Sequence, residues 1–208
     1  INVLANRSDC LAIYSLAKEL GALFDRKVNI PEYHFDNGLN SNIKVSSLTS
    51  DCPQFSVKEI NDITVKESPK WLKSFLISSG IRSINNIVDI GNYIMLLTGQ
   101  PLHMYDKDKL TSDEFIVKND VECDFTALDD KTYQIKNGDL CVTVDNKVCC
   151  LGGIMGGKNC QVDENTKNVI VESANFLGST IRRTSVRIGL SSESSAHFVK
   201  GIDPYQDE

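Results

Sequence analysis

Apolar residues at Leu11, Tyr14, Ala17, Leu20 and Phe24 recur at helical spacing behind the polar start Asn6-Arg7-Ser8-Asp9, and they predict an amphipathic helix near the N-terminus. Over 29–42 the pattern breaks into polar and turn-forming residues, with Pro31 and Asn37-Gly38, and reads as a connecting loop. Alternation in Ile43-Lys44-Val45 and Phe55-Ser56-Val57 predicts short strands. A second helix carries Ser68 as N-cap, Pro69 at its first position, Trp71, Leu72, Phe75 and Leu76 as its apolar face, and Gly80 as its stop. A third is expected from Asn86 to about Thr98, with Ile87, Ile90, Ile94 and Leu97 inward, then Gly99 and Pro101.

The pattern then turns mostly to strands: Phe115-Ile116-Val117, the hairpin-like Val142-Thr143-Val144-Asp145-Asn146-Lys147-Val148, and Val169-Ile170-Val171. A helix from Phe176 to Ile188, stopped by Gly189, follows the last of these. Helices and strands mix without a regular βαβ rhythm, which predicts an α+β fold of mixed sheets flanked by helices. No fixed-period repeat and no convincing linker divides the chain, so 1–208 is expected to form one folded unit.

Composition narrows the function. With 208 residues, 22 Lys+Arg against 28 Asp+Glu and a net charge of -6, the chain is long enough to bury its own core and too acidic to coat nucleic acid unspecifically. A local basic patch remains compatible with that balance. No apolar run is long enough for a membrane span. The seven cysteines form no C-x-x-C pair, which removes the common zinc-ribbon and redox spacings and suits a reducing, cytoplasmic setting. Adjacent Cys149 and Cys150 read as small core residues on a strand. The chain opens at Ile1 without a Met or a signal peptide, and is expected to be a segment of something longer.

Several motifs tempt. Gly152-Gly153-Ile154-Met155-Gly156-Gly157-Lys158 satisfies G-x-x-x-x-G-K, but a phosphate-binding loop needs Ser or Thr next and then a helix, whereas Asn159 and a polar loop follow. Tight-turn geometry explains the glycines as well. His34, His103 and His197 lack metal-ligand spacing, and Ser191-Ser192-Glu193-Ser194-Ser195 reads as a polar turn rather than a nucleophile elbow. Arg182, Arg183 and Arg187 suit either a solvated helix end or an RNA-binding patch. Glu172 shares a strand face with Ile170, so its carboxylate is either at a strand end in water, the better reading from composition alone, or buried with a partner.

At this point the residues resemble a family. Gly80-Ile81-Arg82-Ser83-Ile84-Asn85-Asn86-Ile87-Val88-Asp89-Ile90-Gly91-Asn92-Tyr93, then Gly99-Gln100-Pro101-Leu102-His103, are similar to the signature of the B3/B4 region of the bacterial phenylalanyl-tRNA synthetase beta chain. The likeness runs on through 152–157, Thr166-Lys167-Asn168-Val169, Val171-Glu172-Ser173-Ala174 and Ile181-Arg182-Arg183-Thr184 to Gly201-Ile202-Asp203-Pro204, and Asn6-Arg7-Ser8-Asp9-Cys10-Leu11 fits the family's entry helix. The resemblance implies the B3/B4 architecture and an editing domain that hydrolyses tyrosine wrongly attached to the phenylalanine tRNA by positioned water attack on the aminoacyl ester. It also implies a place in a phenylalanine–tRNA ligase, with the alpha chain of a heterotetramer, other beta-chain domains and the aminoacylated 3′ end of tRNA(Phe) as partners. No cofactor or metal is expected in this segment, although the whole synthetase would use ATP and Mg²⁺ elsewhere.

The site residues carried by the resemblance are His103, expected to position water or the terminal ribose, and Glu172, which recognises the tyrosine hydroxyl beside Gly156. A Cβ at Gly156 is expected to intrude on the substrate ring. Arg82 is expected at the tRNA end or bracing the pocket, with Ser192 and Ser194 at further substrate-binding positions. Ser192 stands where the family usually has Thr and Ser194 where Ala is common, while His197 and Val199 replace a usual Arg and Glu. Asn85, Asn86, Asp89 and Asn92 are equally suited to caps and buried anchors or to ligand contacts. The alternative is a non-catalytic module that positions tRNA or joins subunits of the same synthetase.

Overall fold

The computed structural model of the chain describes residues 3–4, 6–33, 38 and 41–203. A 3-10 turn at Ser8–Leu11 leads into α1 (Ile13–Leu23). Next come β1 (Lys44–Ser47), β2 (Gln54–Ile60), α2 (Lys70–Ser78), α3 (Asn86–Thr98) and β3 (Leu102–Asp106). A run of strands follows: β4 (Glu114–Lys118), β5 (Cys123–Thr126), β6 (Thr132–Ile135), β7 (Cys141–Val144), β8 (Lys147–Leu151) and β9 (Met155–Gly156). The described chain closes with β10 (Val169–Asn175), α4 (Gly178–Ile188) and α5 (Glu193–Lys200).

The result is α+β. A five-stranded sheet runs in the order β1-β4-β7-β8-β9 and a three-stranded sheet in the order β2-β10-β3, with β5 and β6 forming a separate hairpin. Among the described residues only β1 and β4 pair in parallel. Tyr105, Phe115, Val142, Leu151 and Ile170 from both larger sheets meet in one apolar core, to which Phe176, Ile181 and Phe198 add the side facing α4 and α5. The β7–β8 hairpin turns on Asp145 and Asn146, both at positive φ, the backbone shape that matches strand twist in a two-residue turn. Its register skips Cys149, and both adjacent cysteines are buried, because β7 and β8 are covered on both faces.

Helix faces depart from the sequence pattern where polar anchors intervene. In α3 the buried residues are Asp89, Gly91, Met95 and Leu97, while Ile90, expected inward, is 45% exposed. The reason is the loop before the helix: Asp89 accepts hydrogen bonds from Ser68 Oγ (2.5 Å), Ser83 Oγ (2.5 Å) and the backbone N–H of Ile84 (2.8 Å), which draws its face inward. Ser68 is therefore a buried donor to Asp89 and not the N-cap of α2, a position taken by Pro69. Trp71, expected on the apolar face, is exposed and packs edge-on against Tyr93 of α3. The stripe of α1 is likewise only partly covered: Leu20 and Phe24 face outward and Gly21 is its buried residue.

Helix ends follow their chemistry. Asn85 caps α3 by accepting from the N–H groups of Ile87 and Val88, and Gly99 ends it at φ +86, a conformation costly for residues with a Cβ. Five elements escape the sequence pattern: the strands β3, β5, β6 and β9, which lack a clear apolar alternation, and the last helix. The Ser191–Ser195 region is not a polar turn but the start of α5, with Ser192 and Ser195 forming a reciprocal capping box.

Candidate functional site

The centre of the three-stranded sheet places the chemistry. β10 lies between β2 and β3, and Glu172 sits opposite His103 on one side and Val57 on the other. Because side chains alternate along a strand, Tyr105, two residues beyond His103, shares its face. Its hydroxyl donates to Glu172 Oε2, and its ring meets the His103 imidazole edge-on at 4.6 Å between centroids and 88° between planes. Glu172 is thus mid-strand and 4% exposed, not a strand-end carboxylate in water.

Burial shapes both titrations. Loss of water pushes the Glu172 carboxyl up to about 7, with the Tyr105 hydrogen bond acting in the opposite direction. Burial pushes His103 down to about 4, so at neutral pH its imidazole is uncharged and offers one donor and one acceptor. Burial foremost, and then the nearby Glu172 charge, hold the Tyr105 phenol far above its usual value, so it remains a donor.

Glu172 and His103 open into a cleft of about 390 Å³ between α3, β3, the β8–β9 segment and the start of α5, with Tyr105 buried behind them. All six residues expected at the site, His103, Glu172, Gly156, Arg82, Ser192 and Ser194, line it. Apolar walls come from Val88, Met95, Leu128, Ile154, Phe176 and Phe198. Gly156 is required by the packing of the protein itself. A Cβ there would lie 2.3 Å from His103 Cε1 and 2.6 Å from Nε2, so its bare backbone is what lets the imidazole lie against this wall.

The two serines differ. Ser192 Oγ donates to the carbonyl of Ile154 (2.8 Å) and accepts from the N–H of Ser195 (3.1 Å), so it joins the cap of α5 to the glycine-rich wall. Ser194 lines the cleft without a hydrogen bond to its side chain among the described residues. Arg82 is exposed at the mouth without an acidic partner among the described residues, on the 81–84 loop that Asp89 pins. Of the remaining polar set, Asn85 is a cap, Asn86 binds the backbone of Thr64 and Lys66, Asp89 is an anchor, and Asn92 alone lines the cleft.

Other features fall outside. Arg183 donates to the carbonyl of Gly138, and Arg187 to Gln134 and the buried carboxylate of Asp139, so two of the three α4 arginines tie the helix to the β-hairpin region. After Gly157 the chain makes only a 3-10 turn, Lys158–Cys160, without the helix a phosphate loop needs. His34, Asn37 and Pro204 lie outside the described residues. A larger depression, about 670 Å³, runs beside Ile43, Val57 and Lys107. Its walls are mainly polar, and of its two acids Glu59 is already paired with Lys107 and Asp113 is exposed, so it lacks the buried acid without a cation that marks the smaller cleft. Sequence reasoning misses Tyr105 as a site residue, although its i+2 relation to His103 on a strand is a legible signal.

Comparison with known proteins shows the family of the chain. The model of the B3/4 domain family matches residues 51–207. The phenylalanine–tRNA ligase beta subunit of Oceanobacillus iheyensis is 37% identical over 98% of this chain and 26% of its own length. That of Thermotoga maritima is 36% identical over the same shares, and that of Clostridium tetani is 38% identical over 97% of this chain and 26% of its own. The chain thus spans about a quarter of the length of these relatives. A solved N-terminal fragment of the phenylalanyl-tRNA synthetase beta subunit from Pyrococcus horikoshii aligns at TM-score 0.49 with 13% identity, over 90% of this chain and 60% of that one.

Proposed function

The chain belongs to the B3/4 domain family, and from that premise we propose that it is the editing module of a phenylalanine–tRNA ligase beta subunit, hydrolysing tyrosine esterified to tRNA(Phe). The observation that carries the proposal is the Glu172 carboxylate, buried in an apolar-walled cleft with a hydroxyl donor and, among the described residues, no paired cation. An aromatic ring fits such walls, and a para-hydroxyl supplies the further hydrogen bond that the buried carboxylate lacks. Phenylalanine would leave that acceptor dry and unpaired, and sites of this kind discriminate by roughly 10⁴-fold.

The chemistry needs little beyond placement. Water oxygen adds to the ester carbonyl, the ribose oxygen leaves and takes a proton, and tyrosine and tRNA separate. A neutral His103, held by Gly156 and Tyr105, is too weak a base at neutral pH to drive deprotonation, and instead orients the water or the ribose hydroxyl through its one donor and one acceptor. Arg82 at the mouth supplies a cation for a terminal phosphate. ATP, Mg²⁺, the alpha chain and the bulk of the tRNA belong, in this reading, to the rest of the synthetase. The same reading places the enzyme in the cytoplasm, and among the described residues no helix is long and apolar enough to cross a membrane.

The test is deacylation of Tyr-tRNA(Phe) and Phe-tRNA(Phe) by the parent synthetase, with Glu172→Ala and His103→Ala alongside. Glu172→Ala should lose most of the preference for the tyrosyl ester while keeping its fold, and His103→Ala should slow the step by roughly 10²-fold or more. A wild-type rate no faster than spontaneous hydrolysis would instead make this a module that positions tRNA or joins subunits.

A further inference from the structure

The resident phenol beside Glu172 carries a consequence for substrate choice, resting on the editing reading above. We infer that Tyr105 is a positioning residue that sets specificity: by donating to Glu172 Oε2 it fixes the carboxylate so that the other oxygen is presented, as an acceptor only, to an aryl hydroxyl in the cleft. Tyr105 is 0% exposed and packs on Phe115 at 5.3 Å between centroids as well as on His103, so its hydroxyl has one orientation to offer. A phenol has one proton to donate, and here it is given to Glu172. The carboxyl therefore receives on this side, and the incoming group must donate as well. A ring bearing a hydroxyl donor satisfies that demand, and a bare ring does not.

The same contact keeps the carboxyl able to ionise. Removing the Tyr105 hydroxyl withdraws the one interaction that opposes burial, so Glu172 would hold its proton to higher pH and present an acid hydroxyl in place of an acceptor. The titratable groups facing Glu172 are His103 and Tyr105 on β3 and Cys150 on β8, with Cys149 and Cys160 nearby. β2 offers the apolar Val57 opposite, and α3 contributes only uncharged residues to the cleft. Charged Arg82 and Glu193 stand on its lining, on the 81–84 loop and on α5. His103 is already neutral well below pH 7, and burial raises Cys150, so neither supplies a charge change near neutrality.

The experiment compares wild-type parent synthetase with Tyr105→Phe, measuring deacylation of Tyr-tRNA(Phe) and Phe-tRNA(Phe) from pH 6 to pH 8 after subtracting spontaneous hydrolysis. Tyr105→Phe keeps the ring packing, and its Tyr-over-Phe selectivity at pH 7 should fall by about tenfold, with the midpoint of selectivity moved to higher pH by about one unit. Selectivity is read as the ratio of the two rates, so a uniform slowing of both esters leaves it unmoved. Glu172→Gln serves as a second variant: its amide accepts from Tyr105, turns a donor to the cleft, and should lose the tyrosyl preference without any pH dependence in this range. Wild-type selectivity that Tyr105→Phe leaves unchanged in size and midpoint overturns the inference and leaves editing intact. A wild type that deacylates neither ester overturns editing, and this inference falls with it.

Discussion

Glu172 and His103 face one another across two strands, and burial moves their titrations in opposite directions. For Glu172 the folded value, about 7, lies above the ordinary 4.5, so the folded state holds an extra proton between those limits and loses stability as pH rises through them. For His103 the folded value, about 4, lies below the ordinary 6.5, so stability rises with pH over that window. The two slopes offset one another where the windows overlap. Glu172→Gln removes only the first. Its stability relative to wild type should grow by on the order of 3 kcal/mol between pH 4.5 and pH 8, read by urea unfolding at both. A difference independent of pH would mean that Glu172 is not held in a dry site. The same residue shows how far sequence reaches: strand alternation puts Glu172 on the Ile170 face, but whether that face is wet depends on what packs over the sheet.

Among the elements, the 81–84 loop and α3 act as one unit through Asp89, which accepts three hydrogen bonds with 0% exposure. Asp89→Ala leaves Ser68, Ser83 and the Ile84 N–H without their acceptor and should cost about 3 kcal/mol. The midpoint of urea unfolding reads that cost, and faster hydrogen exchange at Ile84 locates it. A loss below about 0.5 kcal/mol would show that water replaces the carboxylate. The strands β1, β2, β4, β7, β8 and β10, the ends of α3 and the stop at Gly189 are legible because caps, turn residues and alternation act locally. The buried face of α3 is not, because it is chosen by the Asp89 network and by close approach to β3. A Cβ at Gly91 would lie 2.9 Å from Met104 Cε. Nor is α5, whose cap is built from serines that also suit a turn.

At the scale of the molecule, a net charge of -6 makes the approach of a polyanion unfavourable except where a cation is left free. Arg183 and Arg187 are engaged in holding α4, whereas Arg82 stands at the cleft mouth. Arg82→Ala in the parent synthetase should raise KM for the tyrosyl ester with little change in kcat, and should lower the salt dependence of kcat/KM by about one phosphate contact. An unaltered salt slope with a depressed kcat would place Arg82 inside the pocket as a brace.

Taken by itself, the sequence determined the α+β class, most strands and helix ends, and, through its family motifs, which six residues to place together. Those properties depend on period, capping and residue type, which are local and survive in one dimension. Only the tertiary structure decided that Glu172 is dry, that Gly156 clears His103, that Ser192 is tied to Ile154, and that Tyr105 holds the carboxylate. Each of these depends on which strand lies beside which and on what covers it. Burial, which sets the strength of a hydrogen bond and the charge of an acid, is a property of neighbours distant in the chain.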